Sequence, residues 1–329
     1  MPSILIRPFH RNDREQVADL VNAHIGAALP GVSVSVNAVK SQLEREPNEA
    51  IVDPWVSERA TLVAIERERV VAAAHLLRYA AEERVSESYR NLGEIRWLVC
   101  VPQHDTAGDA LVAACTDQLT AWRVSRQAAD VSLPCPCCYG VPDCWPHLKA
   151  LFERGGFRHE GRTEVILAAD VRALPAVTDA PFADLTSRRE MGGPAGANTR
   201  FGAWFDDGLV GFVDLQTDLT HGGTLSRLAG WGEIDSLYVD EGHRRRGIAT
   251  WLIGHVADWL RLGHADRLIA YCRPEQTDVL GFAARVGWRE LIRTERGWIR
   301  GGASRPSAGA RSAPCRCDQR QPGDLDPGR

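Results

Sequence analysis

The sequence lacks the features that mark membrane and secreted proteins. None of its apolar runs reaches the roughly 20 residues needed to span a bilayer. Its first residues, MPSILIRPFHRNDRE, contain neither the apolar core nor the small-residue cleavage site of a signal peptide. We therefore expect a cytoplasmic protein with no membrane partner, in which the nine cysteines are reduced rather than paired.

A large excess of charge of one sign is also missing. The formal net charge of the 329 residues is -4, which argues against a general nucleic-acid partner. What is present is the composition of a globular protein, with 44% apolar and 25% charged residues. A chain of this length favours two domains over one.

One stretch, residues 232–250, organises the second half of the chain and reads GEIDSLYVDEGHRRRGIAT. Its first part, Glu233 to Val239, is short and rich in β-branched and aromatic residues, which predicts a strand. An amphipathic helix is predicted next, because apolar residues recur at helical spacing: Ala249, Leu252, Ile253, Val256, Ala257 and Leu260. A glycine between strand and helix, Gly247, lets backbone N–H groups converge at the positive end of the helix dipole. This pattern predicts a turn that binds a pyrophosphate.

The same stretch resembles motif A of the GCN5-related N-acetyltransferases, the GNAT superfamily. Arg244, Gly247 and Ala249 fill the fixed positions of its pattern Q/R-x-x-G-x-G/A. The resemblance implies that the turn binds acetyl-CoA, a co-substrate, and that the strand before it pairs with the pantetheine arm. The implied cofactor-binding residues are Leu237, Tyr238, Val239, Arg244, Arg245, Arg246, Gly247, Ile248, Ala249 and Thr250. A solvated basic helix start, or a patch on nucleic acid, is the alternative, and the lack of a wider basic field disfavours it.

The first half of the chain repeats the pattern. Gly93-Glu94-Ile95 matches Gly232-Glu233-Ile234, and 14 positions separate each glutamate from the glycine of its turn, Gly108 or Gly247. With the order of predicted elements, the repeat predicts a mixed α/β fold of two tandem GNAT domains. Their expected ranges are 1–171 and 185–300, with a linker at 172–184.

The second predicted domain and the end of the chain are both short of apolar residues. The run Gly192-Gly193-Pro194-Ala195-Gly196 leaves no room for most of the helices that open a GNAT domain. Residues 301–329 consist largely of Gly, Ala, Ser, Pro and Arg and cannot bury a core. We therefore expect a second domain without those helices, followed by a disordered tail.

The turn of the first half carries carboxylates, Asp105 and Asp109, on either side of Gly108. Two carboxylates repel a pyrophosphate. We interpret this half as having kept the shape of the motif and lost its charge. It is then a GNAT-like domain with a degenerate cofactor motif, which serves a structural role or shapes the substrate pocket.

The resemblance also bears on catalysis, for which two patterns are common in the family. A tyrosine in the last helix, the acid of one pattern, is replaced by Ala283 in the second half and by Phe152 in the first. In the other pattern a glutamate 14 residues before the glycine acts as base, and Glu233 has that position. Asp235, two residues on, is a second candidate base because alternate residues share a side of a strand. Tyr238 is a candidate acid, with a packing role as its alternative. For Glu233 the alternative is a surface carboxylate paired with an arginine.

A cluster of thiols in the first half raises the question of a metal. Cys135, Cys137, Cys138, Cys144 and His147 lie within 13 positions, but their spacing is irregular and three prolines constrain the loop. We expect no metal site, and interpret the cysteines as buried thiols or as a loop lining the cleft, with zinc as the alternative.

The resemblance implies an acetyl-CoA-dependent N-acetyltransferase that acts on an amine of a small molecule or a protein. A mycothiol-synthase-like tandem acetyltransferase, or a non-catalytic acyl-CoA-binding sensor or scaffold, is the alternative. The aromatic stripe of Trp251, His255 and Trp259 predicts a second cover on the motif helix, by an interdomain or a dimer contact. A homodimer is therefore among the expected partners.

Overall fold

The computed structural model describes residues 3–45, 52–135, 139–191, 199–220 and 225–301. Within them the chain forms two mixed β-sheets and six α-helices, so the predicted α/β class is confirmed. The helix-poor loop expected at residues 192–196 and the disordered tail expected at 301–329 fall, apart from Gly301, outside the described residues.

The first half carries four of the helices, α1 (Arg14–Ala28), α2 (Val36–Glu44), α3 (Asp105–Ala121) and α4 (Pro146–Arg154). Its strands are β1 (Ile4–Pro8), β2 (Val56–Glu66), β3 (Arg69–Tyr79), β4 (Leu92–Cys100), β5 (Arg126–Ala129), β6 (Val141–Pro142), β7 (Arg158–His159) and β8 (Thr163–Asp170). Helix α1 buries one apolar face, including Val17, Val21 and Ile25. The side chain of Ser35 caps α2 by accepting a hydrogen bond from the N–H of Ala38 at 3.1 Å.

The second half carries α5 (Ile248–Leu262) and α6 (Thr277–Arg285). Its strands are β9 (Thr186–Met191), β10 (Thr199–Phe205), β11 (Gly208–Gln216), β12 (Trp231–Val239), β13 (Arg267–Cys272), β14 (Arg289–Glu295) and β15 (Trp298–Arg300). Helix α5 buries the predicted apolar residues except Ala249, with Leu252, Ile253 and Val256 at most 1% exposed. No helix among the described residues combines the length and apolarity needed to cross a membrane.

Two hairpins, β2–β3 and β10–β11, each turn on two residues with positive φ. These are Arg67 and Glu68 (48° and 66°) between β2 and β3, and Asp206 and Asp207 (48° and 61°) between β10 and β11. Two consecutive residues with positive φ form a type I′ turn, and the twist of this turn matches the right-handed twist of the two strands that it joins. The turn geometry therefore fixes the register of both hairpins, with Glu66 opposite Arg69 in the first.

The two sheets take strands from both ends of the sequence. The order is β1-β2-β3-β4-β5-β15-β7 in the first sheet and β6-β14-β8-β13-β12-β11-β10-β9 in the second. By contacts, the described residues divide into one unit of 3–166, 220–228 and 291–301, and another of 167–219 and 229–290. Strand β15 thus completes the first unit although it follows the whole second unit in sequence, a feature absent from the sequence analysis. The domain limits at residues 171 and 185 stay predictions.

Candidate functional site

Strand β12 changes its pairing halfway along its length. Its parallel ladder with β13 runs from Trp231 to Ile234 and ends there. Its antiparallel ladder with β11 contains a bulge, in which Asp235 is the extra residue. Because β12 continues to Val239 after the ladder with β13 has ended, the two strands part beyond Ile234.

An eight-residue turn, 240–247, joins β12 to α5. Two of its residues have positive φ, Arg245 at 61° and Gly247 at 91°. The Nε–H group of Arg244 closes the turn by donating to the carbonyl oxygen of Val239 at 2.9 Å. Gly247 is the last residue before the helix, and glycine adopts its φ without the strain that a Cβ would bring.

The helix that follows presents backbone N–H groups at its start. The first hydrogen bond of α5 runs from the N–H of Trp251 to the carbonyl of Gly247, at 3.0 Å. The N–H groups of Ile248, Ala249 and Thr250 precede that bond, and no side chain caps them. The helix dipole adds partial positive charge at the same end. The start of α5 is therefore suited to an anion.

The structure brings the predicted cofactor-binding residues onto one continuous strand, turn and helix. Leu237, Tyr238 and Val239 form the end of β12 that lies beyond the ladder with β13. The three arginines of the turn are exposed. One of them, Arg244, also has a carboxylate neighbour, because its Nη1 lies 3.6 Å from Oε1 of Glu241.

The two candidate bases lie on either side of Ile234. Glu233 is half-buried and stands opposite Gln216 of β11, whereas Asp235 is only 9% exposed. Alternation along a regular strand predicts that both side chains lie on the same side of β12. The bulge at Asp235 interrupts that alternation, so the spacing of two residues does not place the two side chains on one side.

The candidate acid, Tyr238, already has a hydrogen-bond partner. Its hydroxyl bonds to Asp240, and this bond, together with burial and the negative charge of Asp240, raises the pKa of Tyr238. Its ring lies 5.7 Å from that of Phe212 between centroids. A higher pKa makes the phenol a weaker acid than an ordinary tyrosine. The family's usual tyrosine position, Ala283 on α6, is 6% exposed and has no hydroxyl.

Aromatic residues beside the turn were missed by the sequence analysis. The ring of Phe182 lies 3.9 Å from the guanidinium carbon of Arg246, and its centroid is 5.5 Å from that of Phe205. The ring of Phe205 is in turn 6.0 Å from that of His243. Phe182 belongs to the expected linker. A lone aromatic residue in an otherwise small and acidic stretch was the signal that could have identified it.

The corresponding turn of the first half has a different shape. Only four residues, 101–104, separate β4 from α3, because the helix begins at Asp105. The N–H of Gly108 bonds to the carbonyl of His104 at 3.0 Å, inside the first turn of the helix. A Cβ on Gly108 would lie 2.6 Å from Cδ1 of Leu151, so this glycine serves helix packing. The prediction that the first half keeps the shape of the motif is therefore wrong, since residues of the turn have become helix.

The charges predicted for the first half are present and paired. The guanidinium of Arg154 contacts Asp109 at 2.9 Å and Asp105 at 3.6 Å. The two paired carboxylates stay at the start of α3. An anion that binds this helix start would have to approach them. Both the shape and the charge of this helix start thus disfavour a pyrophosphate.

Two cysteines of the thiol cluster can be placed. Cys135 is buried and Cys144 is exposed, whereas Cys137 and Cys138 lie outside the described residues. His147 is engaged elsewhere, since its Nε2 lies 3.0 Å from the carbonyl oxygen of Cys100 and 3.2 Å from Nε2 of His24. In the described part of the chain, no group of three or more His, Cys, Asp and Glu side chains could hold a metal ion.

Comparison with known proteins gives the class of this fold. Residues 170–288 match the model of the acetyltransferase (GNAT) family. A search of curated proteins by sequence found no match. Solved structures with a similar fold include a tandem GNAT protein from the clavulanic acid biosynthesis pathway (TM-score 0.58, 15% identity), with 92% of this chain and 100% of that one covered. A GCN5-related N-acetyltransferase from Sphaerobacter thermophilus is similar at TM-score 0.54 and 14% identity, with coverage of 92% and 97%.

A third similar structure belongs to a much longer protein. It is the GCN5-related glucosamine N-acetyltransferase region of a fungal multi-domain GH3 beta-N-acetylglucosaminidase, at TM-score 0.59 and 15% identity. The match covers 91% of this chain and 38% of that fungal enzyme. At these identities the likeness is one of fold. The chain therefore has the tandem GNAT fold, and its residues 170–288 match the model of the acetyltransferase (GNAT) family.

Proposed function

We propose that the protein is an acetyl-CoA-dependent N-acetyltransferase that binds acetyl-CoA in its second half. The acceptor is an amine of a small molecule or of a protein. The observation that carries the proposal is the contrast between the two turns. The second half has an eight-residue turn that ends in Gly247 at an uncapped helix start, whereas the first has a four-residue turn that leads into paired carboxylates.

The residues present suit the chemical parts of CoA. The N–H groups of Ile248, Ala249 and Thr250 and the exposed arginines are donors and positive charges for a pyrophosphate. The end of β12, past the ladder with β13, offers backbone amide and carbonyl groups to the amides of the pantetheine arm. An extended arm of this kind adds to a strand as a peptide does.

The chemistry requires that the amine be neutral when it attacks the thioester carbonyl. A carboxylate, Glu233 or Asp235, takes the proton, directly or through water. The new C–N bond forms as the C–S bond breaks, and the departing thiolate is then protonated. Tyr238 is the candidate donor of that proton. Its raised pKa and its hydrogen bond to Asp240 both make it a poorer donor.

The test measures binding and turnover separately in the full-length protein. Calorimetry reports CoA binding, and release of free CoA thiol from acetyl-CoA is followed with a panel of small amines and amine-bearing peptides. Amine-dependent thiol release is the expected result. Absence of CoA binding contradicts the proposal altogether.

A second function is favoured by one specific feature. The position of the usual catalytic tyrosine is Ala283, a buried residue without a hydroxyl group. A non-catalytic acyl-CoA sensor or scaffold needs no proton donor there. CoA binding without thiol release, for every amine of the panel, supports this second function over the first.

A further inference from the structure

The segment of residues 171–182, here called the strap, lies along helix α5. Near the C-terminal end of the helix, the Nη2 group of Arg261 donates to two strap carbonyls, those of Val171 at 3.0 Å and Leu174 at 2.7 Å. A charged donor that binds two backbone carbonyls fixes the start of the strap on the helix.

The middle of the strap approaches the helix backbone closely. A Cβ on Gly254 of α5 would lie only 3.0 Å from Cα of Val177, so glycine permits the contact. One turn earlier in the helix, the indole Nε1–H of Trp251 donates to the carbonyl oxygen of Thr178 at 3.2 Å. The strap is therefore the cover of Trp251 in the aromatic stripe.

The end of the strap reaches the turn before α5. A Cβ on Gly247 would lie 3.3 Å from Cβ of Pro181. The next strap residue, Phe182, presents its ring to the guanidinium of Arg246 at 3.9 Å and packs edge-on against Phe205. The contacts of the strap with α5 thus place the ring of Phe182 against the guanidinium of Arg246.

We propose that Phe182 is a positioning residue of the cofactor site, which acts through Arg246. The inference rests on the proposed function and extends it to a residue outside the motif. The ring holds the guanidinium beside the start of α5, where its charge adds to that of the helix end. Phosphate groups of CoA then meet an arginine that is already in place.

The physical reason is the cost of ordering an exposed side chain. An arginine free in solvent loses rotamer freedom when it binds an anion, and that loss reduces the affinity. A guanidinium already held over an aromatic face has lost much of that freedom beforehand. Arg244 is held in a comparable way, by its Nε–H bond to Val239. Arg246 is held by the ring of Phe182 at the end of the strap.

The experiment is a double-variant cycle for CoA binding, measured by calorimetry on the full-length chain. Phe182→Leu keeps an apolar side chain against Phe205 and removes the aromatic face. Phe182→Trp keeps the aromatic face and serves as the matched control. Arg246→Ala and the double variant Phe182→Leu/Arg246→Ala complete the cycle, and every variant is titrated below its own thermal midpoint.

We expect Phe182→Leu to weaken CoA binding by about three- to tenfold, as for a cation–π contact of moderate strength. Phe182→Trp should stay within about twofold of the wild type. The double variant should bind no more weakly than Arg246→Ala alone, because Phe182 acts through that arginine.

Two results overturn the inference alone. One is wild-type affinity in Phe182→Leu, and the other is full additivity in the double variant, which means that the ring acts independently of Arg246. A wild-type protein that fails to bind CoA overturns the proposed function and this inference together.

Discussion

Gly247 combines a backbone conformation and a location that other residues cannot supply. Its φ of 91° is unfavourable for a residue with a Cβ, by about 1–2 kcal/mol. We expect Gly247→Ala to lower CoA affinity by about tenfold or more, because relief of the strain moves the N–H groups that follow. Gly242→Ala is the matched control, since it lies in the same turn and a Cβ there meets no atom within 4 Å. Calorimetry with equal losses in the two variants contradicts this role for Gly247.

Two carboxylates of β12, Glu233 and Asp235, are the candidates for the proton acceptor. If Glu233 is the base, Glu233→Gln keeps CoA affinity and loses about two to four orders of magnitude in turnover. The loss should shrink at high pH, where the amine is already neutral. Asp235→Asn is the paired variant. Normal turnover in Glu233→Gln with a loss in Asp235→Asn assigns the base to Asp235, and normal turnover in both contradicts a carboxylate base on β12.

Two buried histidines of the first unit predict a loss of stability in acid. Burial lowers the pKa of His24 to about 4 and that of His75 to about 3, from an ordinary value of 6.5. Below pH 6.5 the unfolded chain binds protons that the folded chain does not, so the free energy of unfolding falls as the pH drops from 6.5 toward 4. For His24 the fall is on the order of 3 kcal/mol.

The check is denaturant unfolding at a series of pH values, with His24→Gln for comparison. The variant removes one of the two titrating groups, so its stability should fall less steeply between pH 6.5 and 4. The same slope in variant and wild type shows that His24 does not contribute. Carboxylates with lowered pKa, such as Asp13, lose most of their contribution below pH 4, because their pKa in the unfolded chain is about 3.8.

Strand β15 joins two other strands of the first sheet although it is short. It has three residues, yet it lies between β5 and β7 in the first sheet, with Trp298 opposite both Ala129 and His159. Trp298 is 1% exposed, and its ring lies 6.1 Å from Phe152 between centroids. We expect Trp298→Ala to cost about 3–5 kcal/mol of unfolding free energy.

Its neighbour provides the comparison for this prediction. Ile299 is half-buried in the same strand, so Ile299→Ala should cost less than Trp298→Ala. Hydrogen exchange locates the effect, since amides of β5 and β7 should exchange faster in Trp298→Ala if β15 holds this part of the sheet together. Unchanged exchange in both strands contradicts that role for β15.

Secondary structure that depends on neighbouring residues in the sequence could be predicted from the sequence. Helical periodicity identified the buried face of α5, and the β-branched and aromatic content of residues 233–239 identified most of β12. Strand pairing between distant segments leaves no such local trace, so the position of β15 was not predicted. The bulge at Asp235 was missed for the same reason, because it is defined by the partner strand as much as by β12.

For the whole molecule, the sequence shows the internal repeat and the carboxylates that distinguish its first copy. It does not show that the turn before the helix is shorter in the first copy. Equal spacing of 14 residues suggested equal turns. The structure instead starts α3 at Asp105, because Gly108 packs against Leu151 as a helix residue. The role of the strap was hidden as well, since its contacts with α5 are made largely through backbone carbonyls that have no sequence signature.

We propose that the second half of the tandem fold binds the cofactor and that the first half does not. The most direct measurement is a calorimetric titration of the full-length protein with CoA. We expect one site per chain, weakened by Gly247→Ala and unaffected by replacement of Asp109, which lies in the first half. Two sites of equal affinity, or a single site that survives Gly247→Ala and responds to replacement of Asp109, would contradict it.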